Sequence, residues 1–429
     1  MKLLLKEGRV IDPSENIDAD LDILIENGKI VELGRNLSLS EINSSSIEVL
    51  DLKNTIIAPG LIDMHTHLRE PGHEYKETIQ TGSEAAVAGG FTSIACMPNT
   101  NPVNDNRSVT EFILKQAKLA NMANIYPVAA ISKGSEGKIL AEFGDLKDAG
   151  AVAFSDDGRP VMNSRLMRSA LEYACSLCLP VISHCEDLDL SEGGSMNEGF
   201  VSTELGLQGI PNIAEDIMVE REIALAAYTG TSVHIAHVST TGSVRAIRAA
   251  KDMGVRVTAE TAPHYFTLTD EALREFSTNT KVYPPLRSLE DVEAIKQGLK
   301  DGTIDAIASD HAPHSSIEKD VEFEYASSGI NGLETSLSLS LKLVDDGILT
   351  LTELIEKMST NPAAILKIKK GTLKKGSDAD ITIIDTQKIW TVNVSNFRSI
   401  SRNSPFDRWT LKGKAIMTIV GGEIKYKEI

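Results

Sequence analysis

The chain has 429 residues, 41% hydrophobic and 24% charged, which suffices for one large barrel of about 250 residues plus a smaller accessory domain. A formal net charge of -18 argues against nucleic acid or an anionic membrane as a partner, but not against a small anionic substrate, because one arginine can dominate a pocket. Four cysteines are too few for a disulfide framework, and no stretch nears the roughly 18 apolar residues of a membrane helix. The opening MKLLLKEGRVIDP lacks the apolar core of a signal peptide, so a cytoplasmic protein is expected.

The first stretch reads as short strands. LDILIENGKIVELG alternates around Asn27-Gly28, a hairpin signal, and SEINSSSIEVL (40–50) reads as a loop. Eight apolar runs of β type then follow in order: IIAPGLIDMHTH, FTSIACMPN, IYPVAAI, AVAFSDD, PVISHCED, SVHIAHVS, VRVTAET and IDAIASDH. Between them lie segments with helical apolar spacing, such as NRSVTEFILKQAKLA and TGSVRAIRAAKDMG, several closed by glycine. Cys175 and Cys178 form a CxxC within LMRSALEYACSLC and have no second pair to complete a zinc site, so plain packing is expected. SSIEKDVEFEYASSG (315–329) reads as a mobile loop. The end turns β-rich again, with DADITIID and then LKGKAIMTIV-Gly421-Gly422-EIKY.

Eight strands alternating with helices predict an α/β protein with a (β/α)8 TIM-like barrel over 57–369. The two ends, 1–56 and 370–429, are expected to join as one small β-sandwich domain. An open doubly wound sheet is the alternative, weakened because neither GxGxxG nor GxxxxGKS follows the first strand.

Most of the nine histidines sit at strand ends. His65 and His67 close the first strand as HxH, and side chains at i and i+2 share one face. His184 ends the fifth strand, His237 the sixth and Asp310 the eighth; Asp156 and Asp157 end the fourth. In a barrel these ends converge on one rim, where active sites of the fold lie. Four imidazoles and two carboxylates exceed what one tetrahedral zinc with an open position needs. They suit two ions roughly 3.5–4 Å apart that activate a water and polarise a carbonyl. Imidazole and carboxylate donors without cysteine favour zinc over manganese, cobalt or iron. His234 is expected to face the helix layer, His311 to point away from Asp310, and His264 to support the rim. His314, in SDHAPH, lies one short turn past Asp310, within reach of a bound substrate.

These motifs resemble the amidohydrolase superfamily and, within it, the dihydroorotases. The likeness runs from GLIDMHTHLREPG (60–72) through GGFTSIACMPNTNPVND (89–105), AFSDDG (153–158), SHCED (183–187), HIAHVST (234–240), TKVYPPLR (280–287) and ASDHAPH (308–314) to GTLKKGSDADITIID (371–385). The resemblance implies two divalent ions: one held by His65, His67 and Asp310, the other by His184 and His237, with Asp157 bridging in place of the carboxylated lysine of many relatives. It is the resemblance that selects Asp157 over Asp156. It also implies reversible cyclisation of N-carbamoyl-L-aspartate to L-dihydroorotate in pyrimidine synthesis, with a bridging hydroxide as nucleophile and Asp310 as general acid and base. Arg69, Asn99 and His314 would clamp the substrate carboxylate, with His67, Ser328 and Gly329 also against the substrate. Tyr283 departs from the family pattern, which usually has a substrate-contacting asparagine there, and Ser328 is smaller than in many relatives.

A homodimer and association with aspartate transcarbamoylase are further implications. The second reading is a related cyclic-amide hydrolase of the hydantoinase, allantoinase or dihydropyrimidinase type. The third is a catalytically silent partner of aspartate transcarbamoylase.

Overall fold

A computed structural model describes residues 2–37 and 47–428. Eight parallel strands form the centre: β1 (Leu61–Thr66), β2 (Phe91–Cys96), β3 (Asn124–Ala129), β4 (Ala153–Phe154), β5 (Ile182–Ser183), β6 (Val233–Ile235), β7 (Val257–Thr261) and β8 (Ala306–Ile307). They pair in sequence order as two four-stranded runs, β1 to β4 and β5 to β8. Parallel bridges Phe154↔Val181 and Thr66↔His311 join the runs, so the ring closes. Seven of the eight strands fall within the runs predicted from sequence, and β3 starts one residue before its run, at Asn124. Each run is nearly continuous in apolar residues because a parallel barrel strand is buried on both faces. On β2, Ile94 joins the layer between barrel and helices, while Ala95 faces the barrel interior with Met64, Val128, Ala153, Ile182, Ala236 and Ala306. The alanines keep that interior thin enough to admit larger polar side chains beside them.

The amphipathic segments are helices with side-chain caps. Asn106 accepts from the amides of Ser108 and Val109 to start Arg107–Ala120, and Thr240 accepts from Ser243 to start Thr241–Asp252. Helix Ser164–Ser176 buries Met167, Ala170, Leu171 and Ala174. Cys175 and Cys178 fall outside that stripe and are exposed, so the packing role expected of the CxxC is incorrect.

The two ends of the chain form a single eight-stranded sheet. Ile56–Pro59 pairs with Lys2–Asp12 in parallel and with Ile381–Thr391 antiparallel, bringing residues from both ends into one core that includes Leu3, Ile23, Ile57, Ile383 and Ile419. The sheet change comes at Gly60, between Ile56–Pro59 and β1, so the boundary placed at 57 falls inside a strand of the end sheet. Asn27 and Gly28 both have positive φ and turn the predicted hairpin. A Cβ on Gly28 would lie 2.8 Å from the Gly421 carbonyl oxygen, so the hairpin turns from opposite ends of the chain meet backbone to backbone. Of the loop predicted at 40–50, residues 40–46 lie outside the described residues, and Ile47–Asp51 is a strand paired with Lys2–Asp12 rather than loop.

Candidate metal centre and substrate cavity

The strand ends bring the predicted ligands together at one mouth of the barrel. Asp157 is the hub. Its Oδ1 lies 3.3 Å from His65 Nε2, 3.7 Å from His184 Nδ1 and 3.5 Å from His237 Nε2, and its Oδ2 lies 3.5 Å from His67 Nε2. Asp310 Oδ1 is 3.3 Å from His67 Nε2 and 3.7 Å from His65 Nε2. Two sets of donor atoms each fall within 4.8 Å of one another: His65, His67 and Asp310, and His65, Asp157 and His237. His184 Nδ1 sits 2.7 Å from His237 Nε2.

Two of these atoms fit a divalent cation. His65 Nε2 and Asp157 Oδ1 are buried and, among the described residues, have no hydrogen-bond partner. Leaving such atoms unpaired costs roughly 1–3 kcal/mol each, more for a charged group. Three of the four imidazoles also have an oxygen on the nitrogen away from the cluster. His65 Nδ1 meets Glu260 Oε1 at 2.7 Å, His67 Nδ1 meets Asn99 Oδ1 at 2.9 Å, and His184 Nε2 meets Glu186 Oε2 at 3.0 Å. Such acceptors fix the tautomer that leaves the other nitrogen free to bind metal.

Asp156 faces the opposite way, as strand alternation requires. It accepts from the backbone amides of Ile131 and Ser132 and from the Ser132 hydroxyl. Alternation fails elsewhere on the rim: Arg69, His237 and Asp310 all have positive φ, at 61°, 33° and 47°. Non-glycine residues in that region are uncommon and concentrate at functional sites. The break at His237 explains one incorrect expectation. His234 points into the barrel interior, with Nδ1 2.8 Å from Thr258 Oγ1 and Nε2 3.5 Å from Glu260 Oε2, rather than into the helix layer. His311 does turn from Asp310, toward Glu77 at 3.4 Å.

A cavity of about 190 Å³ opens over the cluster, well below the roughly 300–1,000 Å³ of pockets for drug-sized ligands, and suits a single small ring. Every predicted site residue lines it except His65, which lies beneath. Arg69 Nε donates to the Pro313 carbonyl at 3.1 Å, and its Nη2 lies 3.2 Å from His314 Nε2. Burial lowers the Arg69 guanidinium to about 10, against the pull of Asp310, Glu318 and Asp157, so it stays cationic at neutral pH. Burial, with Arg69 and Lys76 beside it, pushes His314 far below the usual histidine value, so it is neutral. Burial would raise Asp310, but the His67 hydrogen bond and the neighbouring imidazoles hold it at about 2.

Gly329 has φ 147°, and a Cβ there would lie 2.6 Å from the Ala312 carbonyl oxygen; only glycine lets this backbone run so close to the 312–314 segment. The Ser328 carbonyl lies 2.9 Å from His314 Nε2. Tyr283 and Glu186 also line the cavity. The Tyr283 hydroxyl donates to the Gly194 carbonyl at 2.6 Å, so the ring forms wall while the hydroxyl proton is used elsewhere.

Three contributors went unseen in the sequence. Glu260 and Glu186 carried no motif of their own, although ETAPH and SHCED place each near a strand end. Asn403 is buried, and its Nδ2 donates to the Ala312 and Gly329 carbonyls at 3.0 and 2.9 Å while its Oδ1 accepts from the His314 amide. Nothing in the polar stretch SRNSP signals that role.

Residues 54–243 match the family described as dihydro-orotase-like, and residues 213–426 match the amidohydrolase family. A dihydroorotase of Syntrophus aciditrophicus is 66% identical over 429 residues, covering 100% of both chains. The chain belongs to the dihydroorotase family. Other dihydroorotases are similarly near: that of Geobacter metallireducens is 59% identical over 427 residues, covering 100% of both chains. That of Geobacter sulfurreducens is 60% identical over 424 residues, covering 99% of both. Among solved structures, an L-hydantoinase from Arthrobacter aurescens superposes with TM-score 0.88 at 26% identity, covering 99% of this chain and 96% of that one. A dihydropyrimidinase from Brevibacillus agri superposes with TM-score 0.86 at 25% identity, covering 100% and 95%. The chain is thus a hydrolase of cyclic amides on a TIM-barrel fold, like others of the dihydroorotase family. Among the described residues no helix is long and apolar enough to cross a membrane.

Proposed function

We propose that this chain catalyses the reversible cyclisation of N-carbamoyl-L-aspartate to L-dihydroorotate in pyrimidine synthesis, acting in the cytoplasm. The observation that carries the proposal is a small cavity lined both by the cluster of imidazoles and carboxylates and by Arg69, Asn99 and His314, groups suited to a carboxylate. Full-length identity to dihydroorotases supports the same reading.

His65, His67 and Asp310 would hold one divalent cation and His184 and His237 a second, with Asp157 shared; the donor set favours zinc. Bound there, such cations act as Lewis acids on a carbonyl and lower the pKa of water. Asp310 moves the proton. In hydrolysis its carboxylate takes one from the attacking water and delivers it to the amide nitrogen that leaves, and ring closure reverses both transfers. Arg69 offers a cationic fork to the substrate carboxylate, Asn99 its amide, and neutral His314 a hydrogen bond without a second charge. The backbone at Ser328 and Gly329 lies against the ring and limits its size. The homodimer and the association with aspartate transcarbamoylase extend the proposal, and light scattering with and without that enzyme tests both.

A hydantoinase-type activity is the second reading, favoured by the solved structures and by Tyr283 on the cavity wall. The deciding assay measures dihydroorotate hydrolysis and carbamoyl-aspartate cyclisation beside hydantoin, allantoin and dihydrouracil, with and without a chelator. Turnover of dihydroorotate that the chelator abolishes is expected. Turnover of only the uncharged rings would replace the proposal with the second reading. No turnover of any substrate by the metal-replete protein would favour the silent partner.

A further inference from the structure

Beneath the mouth of the barrel lies a polar chain that the proposed chemistry does not use. Glu260, on β7, reaches inward and presents Oε1 to His65 Nδ1 at 2.7 Å. Its Oε2 faces His234 Nε2 at 3.5 Å, and among the described residues neither of those two atoms has a hydrogen-bond partner. His234 Nδ1 lies 2.8 Å from the Thr258 hydroxyl. Glu260 and His234 are each 1% exposed, beside an apolar cluster that includes Met64, Ala95, Val128, Ile182 and Ala236 and with buried Asp63 nearby. Burying a carboxylate and an imidazole in such surroundings is costly unless each is paired.

The donor and acceptor roles along the chain admit one consistent arrangement. A carboxylate only accepts, so His65 Nδ1, 2.7 Å from Glu260, carries a proton, and a proton on His234 Nε2, 3.5 Å from the second oxygen, is the placement that avoids opposing lone pairs. His65 therefore has its proton on Nδ1, and His234 has its proton on Nε2. His234 Nδ1 is then an acceptor and takes the Thr258 hydroxyl proton. His65 Nε2 is left with a bare lone pair, aimed at Asp157 and Asp310.

We infer that Glu260, backed by His234 and Thr258, is a positioning group that locks His65 as an Nε2 metal donor and raises the basicity of that nitrogen. The inference rests on the metal-site reading given above. Carboxylates behind a ligand histidine typically change metal affinity 10- to 100-fold. His234 has the separate task of holding Glu260 by its second oxygen, so that the carboxylate neither rotates away from His65 nor needs water in the barrel interior.

The test compares wild type, Glu260→Gln and His234→Phe in the full chain. Zinc and cobalt affinities are measured by chelator competition, with the melting temperature of the metal-free proteins followed in parallel. Glu260→Gln should bind the metal about 10- to 100-fold more weakly, and His234→Phe should bind it more weakly than wild type by a smaller factor. Wild-type affinity in a folded Glu260→Gln protein would overturn the inference while leaving the metal site standing. Failure of the wild type itself to bind metal would instead overturn the reading on which it rests. A third measurement needs no stable variant at Glu260. Proton–nitrogen correlation spectra of zinc-loaded wild type, with His65 assigned through His65→Asn, should show its proton on Nδ1. A proton on Nε2 would refute the arrangement.

Discussion

Replacing Arg69 with methionine removes a buried cation but retains most of the side-chain volume. The guanidinium already spends Nε on the Pro313 carbonyl and directs Nη2 at His314. Its remaining N–H groups are what a substrate carboxylate would meet. A hydrogen bond to a charged group is worth about 1.5–3 kcal/mol, so losing the fork should cost about 2–4 kcal/mol in kcat/KM, or roughly 30- to 1,000-fold. Because the carboxylate is held equally in ground and transition states, most of the loss should fall on KM, with kcat little changed. Arg69→Lys should recover only part of it, since a point charge cannot reproduce the planar fork. Steady-state kinetics in the hydrolytic direction, on variants with wild-type melting temperature, provide the measurement. A KM within about threefold of wild type would refute Arg69 as the carboxylate anchor.

Asp310→Asn should abolish turnover, by at least about a hundredfold as expected for a lost acid–base group, while the protein stays folded; activity retained by a metal-replete sample would contradict the proton-transfer role. Gly329→Ala forces a side chain at φ 147° against the Ala312 carbonyl and should cost about 1–3 kcal/mol, read as a lower melting temperature or a raised KM. Burial lowers His264 to about 4, so the folded protein refuses a proton that the unfolded chain accepts below about 6.5. Stability should therefore fall by about 1.4 kcal/mol for each unit that the pH drops from about 6.5 to about 4, and His264→Gln should flatten that part of the denaturation profile; identical profiles would exclude the histidine.

Much of the architecture was legible because its physical causes are local. Strands buried on both faces must be apolar throughout, and helices packed on one side must repeat near 3.6 residues, so the eightfold alternation was written in the chain. The spacing of His65 and His67 and the strand-end positions of His184, His237 and Asp310 predicted a shared rim for the same reason. Local periodicity misled where the backbone leaves regular geometry. The parity count for His234 assumed an unbroken strand through His237, whose φ of 33° breaks it. Cys175 and Cys178 looked packed because their run is apolar, but the buried stripe ends at Ala174.

The sequence by itself determined the barrel, the β-rich character of both ends and the histidine and Asp310 candidates, since each follows from side-chain type and spacing along the chain, while family resemblance chose Asp157 over Asp156. Only the tertiary structure decided what lies behind those ligands. Asp157 faces the cluster while Asp156 binds the 131–132 backbone; Glu260 lies under His65, Asn99 behind His67 and Glu186 behind His184; and Asn403, from the far end of the chain, pins the 312–314 and 329 backbones together. These are contacts across up to 195 residues of sequence, as between His65 and Glu260. Apart from Glu186, two residues from His184, they are set by strand register and ring closure, which the pattern of any one segment does not contain.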